Sequence, residues 1–192
     1  MPSALRIKEI RDLEDNVMMS NGALTSNVDL SNVSFPAGHV IQLKHEMYSG
    51  SDISTSSQNF VEINSSLRLS FALNSTNKVL VNISGGGPNK HSGGSSNMSF
   101  YSWGLLNSDG SITNFSDSSQ GLAFFGSEIS ASAHPCSLSY SYVYTPADWS
   151  ITDYSNPFTL TPIFRSGDGG VVRATEGGDG QNIQVYGMVF QQ

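Results

Sequence analysis

Hydrophobic and polar residues alternate with a period of two along much of the chain that follows Phe35. Between Leu67 and Leu73, every leucine or phenylalanine is followed by a polar or small residue. Such alternation is typical of a strand with one face in a protein core. The same pattern, or a run of β-branched and apolar residues, predicts strands at 39–45, 67–73, 78–83, 138–144, 158–164 and 183–190.

Short strands separated by turn residues are typical of β-sandwiches and barrels. We predict an all-β protein, with the strands arranged as an antiparallel, jelly-roll-like β-sandwich. The β-branched run 78–83 suits a central strand, and 183–190 is also expected to be central, with Met188 and Phe190 facing the core. The segments 84–96 and 167–180, rich in Gly, Ser and Asn, are expected to connect strands.

Residues 1–34 differ from the remainder, because they hold most of the early charge and only short apolar pairs. The stripe of Leu5, Ile10 and Leu13 would suit a short helix over 4–14, which would be marginal by itself. We therefore predict two parts. Residues 1–34 form an N-terminal arm for attachment or oligomerisation that does not fold alone, and 35–192 form the β-sandwich head.

The composition limits the partners that the protein can bind. Only 13% of its 192 residues are charged, against about a quarter in typical globular domains, and the net charge is −7. Nucleic acids and anionic membranes are bound through basic patches, and no Lys/Arg cluster is present, so neither partner is expected. A surface of neutral polar groups suits contact with identical subunits or with sugars.

The chain shows no sign of membrane insertion or secretion. No apolar run approaches the roughly 20 residues that span a bilayer, and charged residues interrupt the first thirteen. Synthesis in a cytosol is therefore expected. Cys136 is the single cysteine, which excludes an intrachain disulfide and a cysteine-based metal site, and we expect it to be buried.

Four motifs occur in order between residues 35 and 83. They are FPAGHVIQL at 35–43, STSSQNFVEI at 54–63, LRLSF at 67–71 and NSTNKVLV at 74–81. In this combination the chain resembles a domain common in the tail fibres and other appendages of bacteriophages. The charged segment 3–22 and the final strand are similar to that family more weakly, and 84–180 only in general texture.

The resemblance implies a trimeric, β-rich component of the virion, often at the distal end of a fibre. Its partners would be two further copies of itself, other virion proteins through residues 1–34, and a glycan of the host surface. Three weak sites on one rigid tip would multiply the effective affinity, so the expected function is adhesion to the host. A capsid decoration protein or head fibre with a purely structural role is the alternative.

No motif predicts a catalytic residue, and we expect no enzyme activity and no cofactor. The chain has many serines and four histidines but no Gly-x-Ser-x-Gly elbow. Asp117, Glu128, Asp148 and Asp153 could supply paired carboxylates for cutting a surface polysaccharide. Asp is also a preferred capping residue, so we favour capping and rank the polysaccharide-degrading enzyme last.

No metal site is predicted either. Two acidic, glycine-rich runs, at 167–170 and 176–180, could suggest calcium, but their spacing is not that of a known calcium loop, and a hairpin connection is favoured. His39 and His45 lie on one face of the first predicted strand. Zinc would need further ligands nearby, so structural histidines are the preferred interpretation.

Aromatic residues beside Ser, Asn and Asp are the candidate glycan contacts, because rings stack on sugar faces while neutral polar groups bond the hydroxyls. The candidates are Trp149, Tyr154, Trp103 and Tyr101. Tyr and Trp are also common in cores and at subunit interfaces. The stripe of Tyr140, Tyr142 and Tyr144 is expected in the core or at a trimer interface.

Overall fold

The computed structural model of the protein describes residues 9–11, 17–20, 23–24, 37–86, 89–92, 98–115, 121–126, 138–146, 151, 153–175 and 182–191. Side chains are described from residue 37 onward, except in 89–92 and 123–126. Within these ranges all strand pairs are antiparallel, and the helical geometry is 3-10, in one turn at Ser65–Leu67 and at Pro146. No helix of the described residues has the length and apolar character needed to cross a membrane.

The chain divides into two compact units, Met1–Phe35 and Pro36–Gln192. The first contains β1 (Glu9–Arg11), β2 (Val17–Ser20) and β3 (Ala23–Leu24), which form an antiparallel sheet in that order. The helix predicted over 4–14 is therefore wrong at its centre, where Ile10 lies opposite Met19 on the neighbouring strand. Pairing with β2 supplies backbone hydrogen bonds that so short a helix would hold only marginally.

Three sheets make up the described part of the second unit. The first contains, in order, β11 (Ile112–Asn114), β10 (Met98–Leu106), β14 (Phe158–Ser166) and β6 (Val61–Glu62), with β12 (Ala123–Gly126) paired to β10 and β7 (Leu69–Phe71) to β14. The second contains β13 (Leu138–Tyr144), β8 (Lys78–Gly85), β16 (Ile183–Phe190) and β4 (Val40–Tyr48). The third contains β5 (Ile53–Thr55), β15 (Val171–Thr175) and β9 (Asn89–Ser92), and the 3-10 turn is Ser65–Leu67.

The core lies between the six-stranded and four-stranded sheets. Strand β8 buries every second side chain, from Val79 to Ile83, and β7 does the same with Leu69 and Phe71. The two sheets also meet through a hydrogen bond, in which the Tyr140 hydroxyl donates to the carbonyl of Ser102 on β10 over 2.9 Å. The predicted all-β class is confirmed, and the arrangement is sandwich-like with a curled half-barrel.

The alternation predicts β7 and the β-branched run predicts β8, and both strands are present. The inner face predicted for the last strand, however, is wrong. The central position of β16, between β8 and β4, is confirmed. Its buried residues, however, are Ile183, Val185, Gly187 and Val189. Met188 and Phe190 lie on the opposite face and are half-buried, so the prediction that they face the core is wrong. Both faces of this strand carry apolar residues, and the alternation alone does not choose between them.

The Gly-rich connection after β14 is not a hairpin. Gly167–Gly170 links β14 to β15, which belong to different sheets, so these strands do not pair with each other. The turn is held by its own side chains. The Ser166 hydroxyl accepts the N–H of Gly169 over 3.0 Å, and the Asp168 carboxylate accepts that of Gly170 over 3.0 Å. An Asx-type turn explains the acidic residue here without a calcium ion.

Glu62 ties together three elements at one side of the six-stranded sheet. Its carboxylate accepts two hydrogen bonds from the Arg68 guanidinium, at 2.7 and 2.8 Å, and one from the Thr161 hydroxyl at 2.7 Å. The hydrogen bond from Arg68 lowers the pKa of Glu62, against an opposing effect of burial. A bidentate pair of this kind is stronger than an ordinary hydrogen bond between neutral groups.

We expect Glu62→Gln to lower the free energy of unfolding at pH 7 by about 1 kcal/mol, since Arg68 is exposed enough for solvent to screen the pair. The folded-state pKa of Glu62 lies below its unfolded value, so its contribution is complete above the unfolded pKa. That contribution falls as pH falls through the folded pKa. Urea unfolding at pH 7 and pH 3 should therefore show that the difference in free energy of unfolding between the wild type and Glu62→Gln is smaller at pH 3. Glu46→Gln, at an exposed position of β4, is the control, and an equal deficit at both pH values would contradict the expectation.

Candidate functional site

Two of the predicted glycan contacts, Trp103 and Tyr101, lie in the core. Both have no exposed surface, because β10 runs through the middle of the six-stranded sheet. The Tyr101 hydroxyl donates to the carbonyl of Arg173 over 2.8 Å, and its ring stacks near Phe164. A ring without accessible surface offers no face to a sugar, so the burial of Trp103 and Tyr101 argues against both as glycan contacts.

The other two predicted contacts have different outcomes. Tyr154 is half-buried, its hydroxyl donates to the carbonyl of Ile151 over 3.1 Å, and its ring packs edge-on against Phe158 with centroids 5.7 Å apart. These contacts stabilise the segment that leads into β14. Trp149 lies outside the described residues.

Three aromatic rings on and beside β13 form a cluster that reaches solvent, which we call the edge cluster: Phe115, Tyr142 and Tyr144. The ring centroid of Tyr144 lies 4.4 Å from that of Phe115 and 4.2 Å from that of Tyr142, and in both pairs the ring planes are tilted relative to each other. Tyr144 is 3% exposed, whereas Tyr142 is 41% exposed. The cluster therefore runs from the core to an open aromatic face.

The position of β13 explains this exposure. It is the outermost strand of its sheet, and Tyr142 lies opposite Val81, which is fully buried. Tyr142 thus belongs to the core side of the sheet, but it stands at the edge. On the other side of β13, the Asn82 amide donates to the Ser141 hydroxyl over 2.8 Å, which holds the edge strand to β8.

The phenols next to Tyr142 are neutral groups. Burial raises the pKa of Tyr144 well above its usual range, and the nearby Tyr142 raises it further. Burial likewise raises the pKa of Tyr140. Neither hydroxyl is therefore suited to act as a base or nucleophile near neutral pH. The edge cluster can stack on an uncharged, planar or weakly polar surface, such as the face of a sugar ring.

The remaining candidates show no catalytic or metal geometry. The Asp153 carboxylate accepts the N–H of Ser155 over 2.9 Å, as a turn-capping residue does, and this hydrogen bond lowers its pKa. Asp117, Glu128, Asp148 and Cys136 lie outside the described residues. His39 and His45 are exposed, and the His45 ring stacks on Tyr186 at 4.5 Å. Across the described ranges, no three His, Cys, Asp or Glu side chains gather to hold a metal ion.

The sequence predicts only part of the edge cluster. The spacing of Tyr140, Tyr142 and Tyr144 puts all three rings on one side of a strand, and β13 has this arrangement. Their different exposure depends on the edge position of the strand and on the approach of Phe115, which follows β11. No local pattern carries that information.

No protein-family model matches the chain, and no relative is found among curated proteins.

Proposed function

We propose that this protein is a non-enzymatic appendage subunit of a bacteriophage virion that adheres to the host surface. Its head would be a jelly-roll-like β-sandwich assembled as a homotrimer, with residues 1–34 attaching it to other virion proteins. The support is the resemblance of residues 35–83 to tail-fibre domains, together with an all-β head poor in charged residues. The ligand would be a neutral glycan of the host cell.

The observation that carries the adhesion proposal is the exposed ring of Tyr142 on the edge cluster. Its neighbour Tyr144 is buried and packs against Phe115, so the exposed ring is held by rigid partners. A ring held in place loses little conformational freedom on binding, which favours contact with a flexible ligand. One such contact is weak, and three copies on one tip would raise the effective affinity.

We expect Tyr142→Ala to weaken binding to an array of neutral oligosaccharides at least tenfold. Loss of one aromatic stack is worth about 0.5–1.5 kcal/mol per site, and three linked sites multiply the loss. Met98→Ala is the matched control, because Met98 is also 41% exposed but belongs to the six-stranded sheet. Apparent dissociation constants and unfolding temperatures should be measured for both variants.

Three results are decisive for the adhesion proposal. Weak binding by Tyr142→Ala, with wild-type binding by Met98→Ala and unchanged unfolding temperatures, would support it. Equal binding by wild type and Tyr142→Ala would remove the edge cluster as the glycan site. Failure of the wild-type protein to bind any oligosaccharide would overturn the adhesion proposal itself.

The second candidate function is a structural one, in which the protein decorates the capsid or forms a head fibre. It is favoured by the apolar face of the four-stranded sheet, where Leu43 and Val143 are more than half exposed, as a surface for assembly requires. A cryo-EM map of the intact particle distinguishes the two. Density at a fibre tip supports adhesion, and density spread over capsid sites supports decoration.

A further inference from the structure

A continuous apolar row crosses all four strands of the four-stranded sheet on its outer face, the side turned away from the core. Along this row, Val143 lies opposite Leu80, Leu80 opposite Met188, and Met188 opposite Leu43. The two ends of the row belong to edge strands and are 53% and 62% exposed, at Val143 and Leu43 respectively. One face of a solvated sheet is ordinarily polar, so this row departs from the usual pattern.

Further apolar side chains flank this row on the same face. Phe190 lies opposite Val40, which is 48% exposed, and Met47 at the other end of β4 is also 48% exposed. In the described part of the chain, the large hydrophobic residues that are exposed include Val40, Leu43, Met47 and Val143 on the outer face, and Met98 and Tyr142 elsewhere. The exposed apolar residues are therefore concentrated on one surface.

The outer face also carries little charge. Its described side chains include Lys78 at one end and His45 near the middle, but no carboxylate. The charged neighbours in β4, Lys44 and Glu46, alternate with Leu43, His45 and Met47 and so belong to the other side of the strand. Two copies of a chain with a net charge of −7 repel each other over most of their surfaces. That repulsion is smallest where both surfaces lack acidic groups.

We infer that the outer face of the four-stranded sheet is the surface through which copies of this chain associate, with a second and a third copy as its occupants. The inference rests on the trimeric part of the proposed function and names the surface that would form the trimer. It is independent of glycan binding by Tyr142, which belongs to the opposite side of β13.

The area of the face sets the size of the contact between copies. Four strands about 4.8 Å apart, each contributing about 24 Å of length, present roughly 450 Å² per copy. Three such faces around a common axis would bury roughly 1,350 Å² in total, divided among three pairwise contacts. The buried area per copy is the same in a dimer, so the number of copies is taken from the proposed trimer. Closed cyclic symmetry also covers the face in every copy.

The test compares the full-length protein with the double variant Leu43→Asn/Val143→Asn by light scattering after size-exclusion chromatography and by sedimentation equilibrium. The wild type is expected at about three times the monomer mass of 20.6 kDa. The double variant should associate at least a hundredfold more weakly, because two apolar anchors per copy become polar. Met98→Asn removes an exposed apolar side chain outside the outer face and should retain the wild-type mass.

The other outcomes overturn the inference in distinguishable ways. A double variant that keeps the wild-type mass would leave the trimer in place but remove the outer face as its interface. A monomeric wild type would overturn the trimer together with the inference. If that monomer also lost thermal stability in the double variant, the outer face would be covered within one chain and not by other copies.

Discussion

Gly85→Ala is expected to lower the free energy of unfolding by about 3 to 5 kcal/mol. Gly85 ends β8 with a φ of +91°, a conformation that side chains other than glycine adopt only with strain. A Cβ at this position would also lie 2.0 Å from the backbone carbonyl oxygen of Asn182, just before β16. That oxygen belongs to the main chain and cannot rotate away, so the two central strands would have to separate.

Gly110→Ala is the matched control for this prediction. Gly110 has a similar φ of +82°, but a Cβ there would meet no atom within 4 Å, because it lies in the turn between β10 and β11. Backbone strain alone should cost about 1 to 2 kcal/mol. Urea unfolding of both variants separates the steric contribution from the conformational one. Equal losses in the two would show that the approach of Asn182 to Gly85 does not limit stability.

Trp103→Ala is expected to lower the free energy of unfolding by about 3 to 5 kcal/mol, as removal of a large buried aromatic side chain usually does. Trp103 is fully buried on β10, where it lies opposite Pro162 of β14 and belongs to the hydrophobic core. Its indole nitrogen has no hydrogen-bond partner among the described residues. Trp103→Phe should therefore lose volume but no hydrogen bond, and we expect a cost of about 1 to 2 kcal/mol.

The two substitutions also test whether Trp103 acts in the core or at a binding surface. Unfolding in urea gives the stability of each variant, and oligosaccharide binding is measured at a temperature where both are folded. Binding should then equal that of the wild type. A stable Trp103→Ala protein that no longer binds would instead place the indole at the ligand, against its burial.

The errors made from the sequence have a common physical origin. The run from Phe100 to Trp103 shows no alternation, because β10 is covered on both faces and even Ser102 is buried, with its hydroxyl donating to Asn114 over 2.6 Å. A strand buried on both sides reads as a short, continuous run and is hard to recognise. The Ser, Asn and Asp residues beside this run are the basis of the glycan prediction for Trp103 and Tyr101, and they do not reveal that both rings are buried.

The last strand shows how a contact from another sheet decides which face is buried. Apolar residues occupy both sides of β16, with Val185 and Val189 on one and Met188 and Phe190 on the other. Gly187 lies on the first side, and a Cβ there would come within 2.3 Å of the Phe71 ring. The glycine leaves the space that Phe71 of the six-stranded sheet fills. This side therefore faces the core, although Val185 and Val189 are no more hydrophobic than Met188 and Phe190.

The local sequence is enough to predict the all-β class, the positions of the strongly alternating strands, the inner face of β7, and the central positions of β8 and β16. These follow from a period of two, which is a local property of the chain. Three features follow from the tertiary fold alone: 183–190 pairs with 78–85, β10 is buried on both faces, and Tyr142 stands at an edge. Those features depend on contacts between residues far apart in sequence, such as Phe71 and Gly187, and no local pattern of hydrophobic and polar residues encodes which distant strands will meet.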